Sequence, residues 1–359
     1  PAGAGKQVSF TASGNVTSSG KPVVLNSDGT VSEIGGQTEN IGAANSFGAT
    51  SMQYPAACYD TSNDKVVIVY ADHSTNYGTA VVGTVSGDTM SFGTPVTFYS
   101  GQVQYCTTAF DANSGAALIA YRDETSSGKD GTAIVGTVSG TSISFGSASV
   151  FNSAATEFVF MTYDSNAQKC VISYCDVGNS SYGTAIVATI SGTSVSFGSE
   201  AVFSSGTVSA LGIGFDSTSN KIILGYRKNS VGTSCVGTVS GTSISFGTPS
   251  VFYAAQMYDC FGNYDPSINA TVLTFQGTAP NYLPYAVNAT ISGTSVTFTA
   301  TAELNSTNSY PFTATYDPDS SKIIFVYTDS GGKTKVYTPG STNLTSTNFL
   351  GISDAAISS

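Results

Sequence analysis

"GTAVVGTVSGDTMSFGTPVTFYSG", residues Gly78 to Gly101, is followed by two near-copies: "GTAIVGTVSGTSISFGSASVFNSA" from Gly131 and "GTAIVATISGTSVSFGSEAVFSSG" from Gly183. Such self-similarity means one supersecondary unit used repeatedly, each copy burying its apolar face against the next. An aromatic–Asp pair sets the phase, as Tyr59-Asp60, Phe110-Asp111, Tyr163-Asp164, Phe215-Asp216, Tyr264-Asp265 and Tyr316-Asp317. The steps between pairs are 51, 53, 52, 49 and 52 residues. Periods near that length, with several short strands in each, are the mark of a β-propeller.

Each unit reads as four strands, A to D. Strand A ends at the aromatic–Asp pair, and a polar turn such as "TSNDK" leads to strand B, "VVIVYAD". Strand C is "GTAVVGTVSG" and strand D is "MSFGTPVTF". Strand B is a nearly continuous apolar run, as expected when both faces are buried between neighbouring sheets. Pro95 and Pro249 fall within the inferred strand D. Proline lacks a ladder donor and belongs at a sheet edge, so strand D is expected to be outermost. Its two aromatics, Phe92 and Phe98, recur as Phe145/Phe151, Phe197/Phe203, Phe246/Phe252 and Phe298/Leu304. A further copy is sought before the first strand A. Phe47 precedes Phe98 by 51 residues, matching Asp60 to Asp111.

The expected fold is therefore all-β. Residues 38–339 form a six-bladed propeller of four-stranded blades, closed by an N-terminal strand near Ile41 to Phe47. Residues 1–37 and 340–359 are expected to pair as a small β-module from both termini. In this arrangement the A–B and C–D turns share one face, and the B–C and D–A loops share the other.

Composition narrows the task. Twelve Lys and Arg against 23 Asp and Glu give a net charge of −11, which speaks against a nucleic-acid partner. No apolar run approaches the roughly 20 residues of a membrane span, so no membrane insertion is expected. No basic-then-apolar signal opens the sequence, so an export signal is expected to be absent or removed. The six cysteines form no Cys-x-x-Cys pair, and the single histidine, His73, cannot build a zinc site with them. They read as small buried hydrophobes.

Candidate ligand-binding residues lie in the B–C loops, which differ most between repeats and are the natural place for recognition on a uniform frame. The only two arginines, Arg122 and Arg227, occupy the same slot directly after the strand B tyrosine. With Asp72, Asp123, Asp176 and Asp329 they suggest a ring around a pore, suited to an anionic or polyhydroxylated ligand. Tyr77, Tyr182 and Tyr282 offer stacking faces. The competing reading is that the Tyr-x-Asp pairs only close strand B by hydrogen-bonding loop amides. A sialidase-like hydrolase would need three converging arginines and Trp-containing turns, and the chain has two arginines and no tryptophan. No catalytic residue, metal site or cofactor is expected, and the chain is expected not to be an enzyme.

The flanks "FTASGNVTSSGKPVVLNSDGTVSEI" and "NFLGISDAAISS" resemble the small β-module of tailed-bacteriophage structural proteins of the fibre and appendage type. In that family a "G-x-V-x-x-G-x-P-V-x-L-x-x-DGTV" segment and an "F-x-G-I-x-x-x-A" segment share one module. The resemblance implies a non-enzymatic virion or extracellular structural protein, with other virion subunits or copies of itself as partners. It further implies a host-surface glycan as ligand. Alternatives are a secreted or cell-surface lectin-like or filament-forming propeller, and a glycoside hydrolase of propeller fold.

Overall fold

The computed structural model describes residues 23–25, 30–33, 46–49, 51–86, 89–278, 282–306, 310–317, 322–328 and 332–337. The chain divides into two compact units, residues 1–40 with 340–359, and residues 41–339. In the smaller unit Val23–Leu25 pairs antiparallel with Val31–Glu33, placing Val23 opposite Glu33. The rest of the two flanks lies outside the described residues.

The larger unit is all-β and antiparallel, a propeller-like meander with a single short 3-10 turn, Val177–Asn179, among its described residues. In the first repeat, strand A is Met52–Asp60, strand B Lys65–Asp72 and strand C Tyr77–Ser86. Strand D comes in two pieces on the same edge of strand C. Thr89–Phe92 pairs with its far end, and the start of Val96–Asp111 pairs with its near end. Pro95 occupies the gap between the pieces, and Pro249 sits likewise between Ser243–Phe246 and Ser250–Tyr253. Both prolines therefore lie at a break in strand D rather than within it, where no ladder donor is needed.

The expected D–A loop is absent from the first three junctions. Val96–Asp111 starts as the outer strand of one sheet and ends as the inner strand of the next, from Val103 opposite Asp123 to Asp111 opposite Ala116. Ser149–Asp164 and Ala201–Asp216 do the same. The fourth junction is interrupted, between Ser250–Tyr253 and Met257–Asp265. The last described sheet contains Tyr310–Asp317, Lys322–Thr328 and Gly332–Tyr337.

Strand B is buried on both faces, and Tyr70, Tyr121, Tyr174, Tyr226 and Phe275 at matching positions have no appreciable exposure. Each of these rings receives the second strand D aromatic of the preceding repeat's frame. Phe98 lies 5.3 Å from Tyr121 and 5.9 Å from Phe145; Phe203 lies 5.1 Å from Tyr226 and 5.7 Å from Phe246. Phe47 has the same pair of neighbours one step earlier, Tyr70 at 5.5 Å and Phe92 at 5.2 Å. The glycine opening strand C is what admits the ring. A Cβ on Gly78 or Gly183 would stand 2.3 Å from Phe98 or Phe203.

The aspartate of the aromatic–Asp pair closes the A–B turn. Asp60 accepts from the amides of Ser62 and Asn63 at 2.9 and 3.0 Å, and Asp216 from Thr218 and Ser219 at 3.0 and 2.9 Å. These are Asx turns, which explains why a short acceptor recurs at that position in every repeat.

Candidate functional site

Strand A carries a β-bulge near its start in each of the first five repeats. The bulged residue is left-handed every time: Tyr54, Tyr105, Phe158, Ala210 and Asp259, with φ between 42° and 53°. Each stands six residues before the aspartate of its aromatic–Asp pair. Bulky residues resist this conformation, and bulges commonly re-aim a side chain beside a functional site. Here they bring three rings into sequence. Tyr54 lies 5.3 Å from Tyr105, and Tyr105 lies 5.6 Å from Phe158.

The two arginines reach inward over these bulges. In the ladder Arg122 faces Gln104, and Arg227 faces Ser209. The Arg122 guanidinium donates to Glu157 at 3.2 Å and to Gln104, pairs with Glu124, and lies 4.9 Å from the Tyr105 ring centre. Lys129 reaches Glu124 at 3.4 Å. Arg122 is only 7% exposed. That corrects its expected ligand-facing role: it bridges the inner strands of two successive sheets, and its charge is met by Glu124 and Glu157. Burial, reinforced by Glu157 and opposed by Arg122, raises the Tyr105 pKa.

Arg227 makes the equivalent bridge with fewer charges. Its Nε donates to Ser209 Oγ at 2.8 Å, its Nη1 to the Met257 carbonyl at 3.0 Å, and it lies 4.9 Å from the Tyr258 ring centre. Beside it is a pocket of about 390 Å³ lined by Tyr258, Asp259, Gln276 and Tyr282. Tyr258 and Tyr282 stack at 6.2 Å with planes 22° apart, and Gln256 donates to the Tyr258 hydroxyl at 2.9 Å. Tyr282 is itself left-handed and 43% exposed. Gln276 donates to the Tyr282 carbonyl at 3.2 Å, which fixes that ring's backbone. Asp259 is crowded by neighbours while remaining open to solvent. Desolvation raises its carboxyl pKa, and Arg227 opposes the rise. The pocket thus offers an aromatic platform with a carboxylate at its edge, on a floor that includes the fully buried Gln276.

The loop aspartates behave as turn formers. Asp72 accepts from the Ser74 amide and hydroxyl at 2.9 and 2.7 Å. Asp123 accepts from the Thr125 amide and hydroxyl at 2.8 and 2.6 Å, and from Tyr99 at 2.7 Å. Desolvation pushes the Asp123 pKa up, but these bonds outweigh it and hold the carboxyl below its ordinary value. Asp176 caps the 3-10 turn through the Asn179 amide at 3.1 Å and accepts from Asn152 at 3.3 Å. These contacts favour the turn-closing reading of the Tyr-x-Asp pairs. Asp329 lies outside the described residues. Tyr77 is exposed and Tyr182 half-buried, and neither lines the pocket.

Of the expected set, then, Arg227 and Tyr282 come together. Tyr258 and Asp259 complete the site from strand A, and Gln276 from the end of strand B. Their signal was the strand A column six residues before each aspartate, which changes character from Tyr to Phe, Ala and Asp while its surroundings repeat. Among the described residues, no group of three or more His, Cys, Asp or Glu is arranged to hold a metal ion.

No family model matches the chain, and no curated protein matches it. Among solved structures, the PQQ-bound form of an aldose sugar dehydrogenase from Streptomyces coelicolor is similar at 10% identity and a TM-score of 0.44, covering 80% of this chain and 94% of that one. The expectation that the chain is not an enzyme stands against this neighbour, which is a dehydrogenase, and the likeness carries no activity over to this chain.

Proposed function

We propose that the repeated sheets are the blades of a six-bladed propeller, and that the segment leading to Phe47 supplies the outer strand of the last blade. Phe47 supports this by meeting Tyr70 and Phe92 as Phe98 meets Tyr121 and Phe145. The propeller belongs to a virion or extracellular structural component that recognises a polyhydroxylated ligand, a host-surface glycan. The flank resemblance supports the setting, with copies of the chain or other virion subunits as partners.

The observation that carries recognition is the Tyr258–Tyr282 platform with Asp259 and Gln276 around one pocket. A sugar ring presents an apolar face to an aromatic ring and hydroxyls to a carboxylate. A glycan array probed with the wild-type chain and with Tyr282→Ala tests it. At least one glycan is expected to bind the wild type and to lose roughly tenfold in affinity with the variant, as for one buried aromatic anchor. Equal binding by both proteins moves the site elsewhere.

A further inference from the structure

We infer that Tyr54, Tyr105 and Phe158 form a track for successive sugar rings of one glycan chain, so that the ligand is an oligomer rather than a terminal monosaccharide. This rests on reading the propeller as a glycan receptor, and adds which part of the glycan this surface holds. The three rings come from three consecutive inner strands, with centroids 5.3 and 5.6 Å apart and planes tilted by 47° and 46°. That spacing is close to the repeat of pyranose rings along a linked chain, and the steady tilt makes a curved wall rather than a flat patch. All three rings are only half-buried.

A second observation points the same way. Each ring sits on a left-handed bulge residue, a conformation that is costly for a bulky side chain and persists where the surroundings demand it. Ala210 and Asp259 in the following repeats show that the bulge itself needs no aromatic. The bulge therefore does not dictate an aromatic here, although each ring also packs against a core cluster. Arg122, lying over Tyr105 and held by Glu124 and Glu157, fixes the middle ring.

The test measures binding, by calorimetry, of the monomer, trimer and hexamer of two series, β-1,4-linked N-acetylglucosamine and α-1,4-linked glucose. Asparagine tolerates the left-handed conformation, so Tyr54→Asn with Tyr105→Asn removes two rings while relieving strain. The hexamer of at least one series is expected to bind the wild type roughly tenfold more tightly than its monomer. That advantage should vanish in the double variant, which is checked to be folded by its wild-type strand signal in circular dichroism. Equal affinity for monomer and hexamer, a chain-length advantage that survives in the double variant, or no binding in either series overturns the track. Tyr282→Ala separates the two ideas. If it leaves every affinity unchanged while the chain-length effect persists, the Tyr258–Tyr282 pocket fails and the track stands.

Discussion

Phe160 and Phe261 meet edge to face, 6.4 Å apart with planes at 75°, although their strands belong to the third and fifth repeats. Gly212 holds the matching position in the fourth repeat and makes the contact possible. A Cβ there would stand 2.3 Å from the Cys260 carbonyl, so only glycine lets the fifth repeat's inner strand approach. A double-mutant cycle with Phe160→Leu and Phe261→Leu is expected to give a coupling of about 1 kcal/mol in urea denaturation. Additive losses would show that the rings merely lie near each other.

Phe47 offers a direct check on how the repeats close. Phe47→Ala and Phe98→Ala each remove a ring that fits between a strand B tyrosine and a strand D phenylalanine. If Phe47 is the outer-strand aromatic of the last blade, both variants lose stability clearly, Phe98→Ala about 3–5 kcal/mol and the half-buried Phe47→Ala somewhat less, by thermal or urea unfolding. A Phe47→Ala protein as stable as wild type would place that segment outside the folded frame.

The glycine that opens strand C predicts a rank order. In Gly183→Ala the new methyl meets the Phe203 ring at 2.3 Å, whereas in Gly232→Ala its nearest neighbour is the flexible Met257 sulfur at 2.8 Å. Overpacking of this kind costs about 1–3 kcal/mol. Gly183→Ala should fall near the top of that range and Gly232→Ala near the bottom, as read from denaturation midpoints.

The Asp123 carboxyl is held below its ordinary pKa in the folded chain. Its hydrogen bonds therefore stabilise the fold fully above the unfolded value near 3.9, and that contribution fades as pH falls through the lower folded value. Asp123→Asn is expected to be less stable than wild type at pH 7, with the gap closing below about pH 3. A gap independent of pH would assign the loss to packing.

All six cysteines are free thiols. Burial pushes the Cys58, Cys106 and Cys235 thiols up to about 12, and Cys175 up to about 11. Reactivity requires the thiolate, so a disulfide-exchange reagent at pH 8 should label the native chain very slowly and all six sites once it is unfolded in guanidinium. Rapid labelling of any one of them in the native state would mark an opening that the packed sheets do not have.

The all-β class, the strand order and the buried strand B were legible because they rest on period and hydropathy. Those properties belong to every copy of the repeat. The pocket was less legible because two of its parts, Tyr258 and Asp259, come from the start of a repeating strand A. Asp259 and Tyr258 look like interior strand residues until a bulge turns the chain, and nothing local marks where the ladder slips. Arg122 and Arg227 share a slot in the sequence but not a fate, since Glu157 stands opposite one and Tyr258 opposite the other. A coincidence of position along the chain showed where the side chains start, not what they reach.

The uninterrupted strands Val96–Asp111, Ser149–Asp164 and Ala201–Asp216 have a mechanical consequence. A tether between two rigid bodies normally provides slack, and here there is none. Tension entering one sheet passes straight along a hydrogen-bonded strand into the next, so the first four sheets share a load as one stiff piece. Slack first appears at residues 254–256, between Tyr253 and Met257. Tyr258 and Asp259 follow immediately, so the compliant point of the frame adjoins the wall of its pocket.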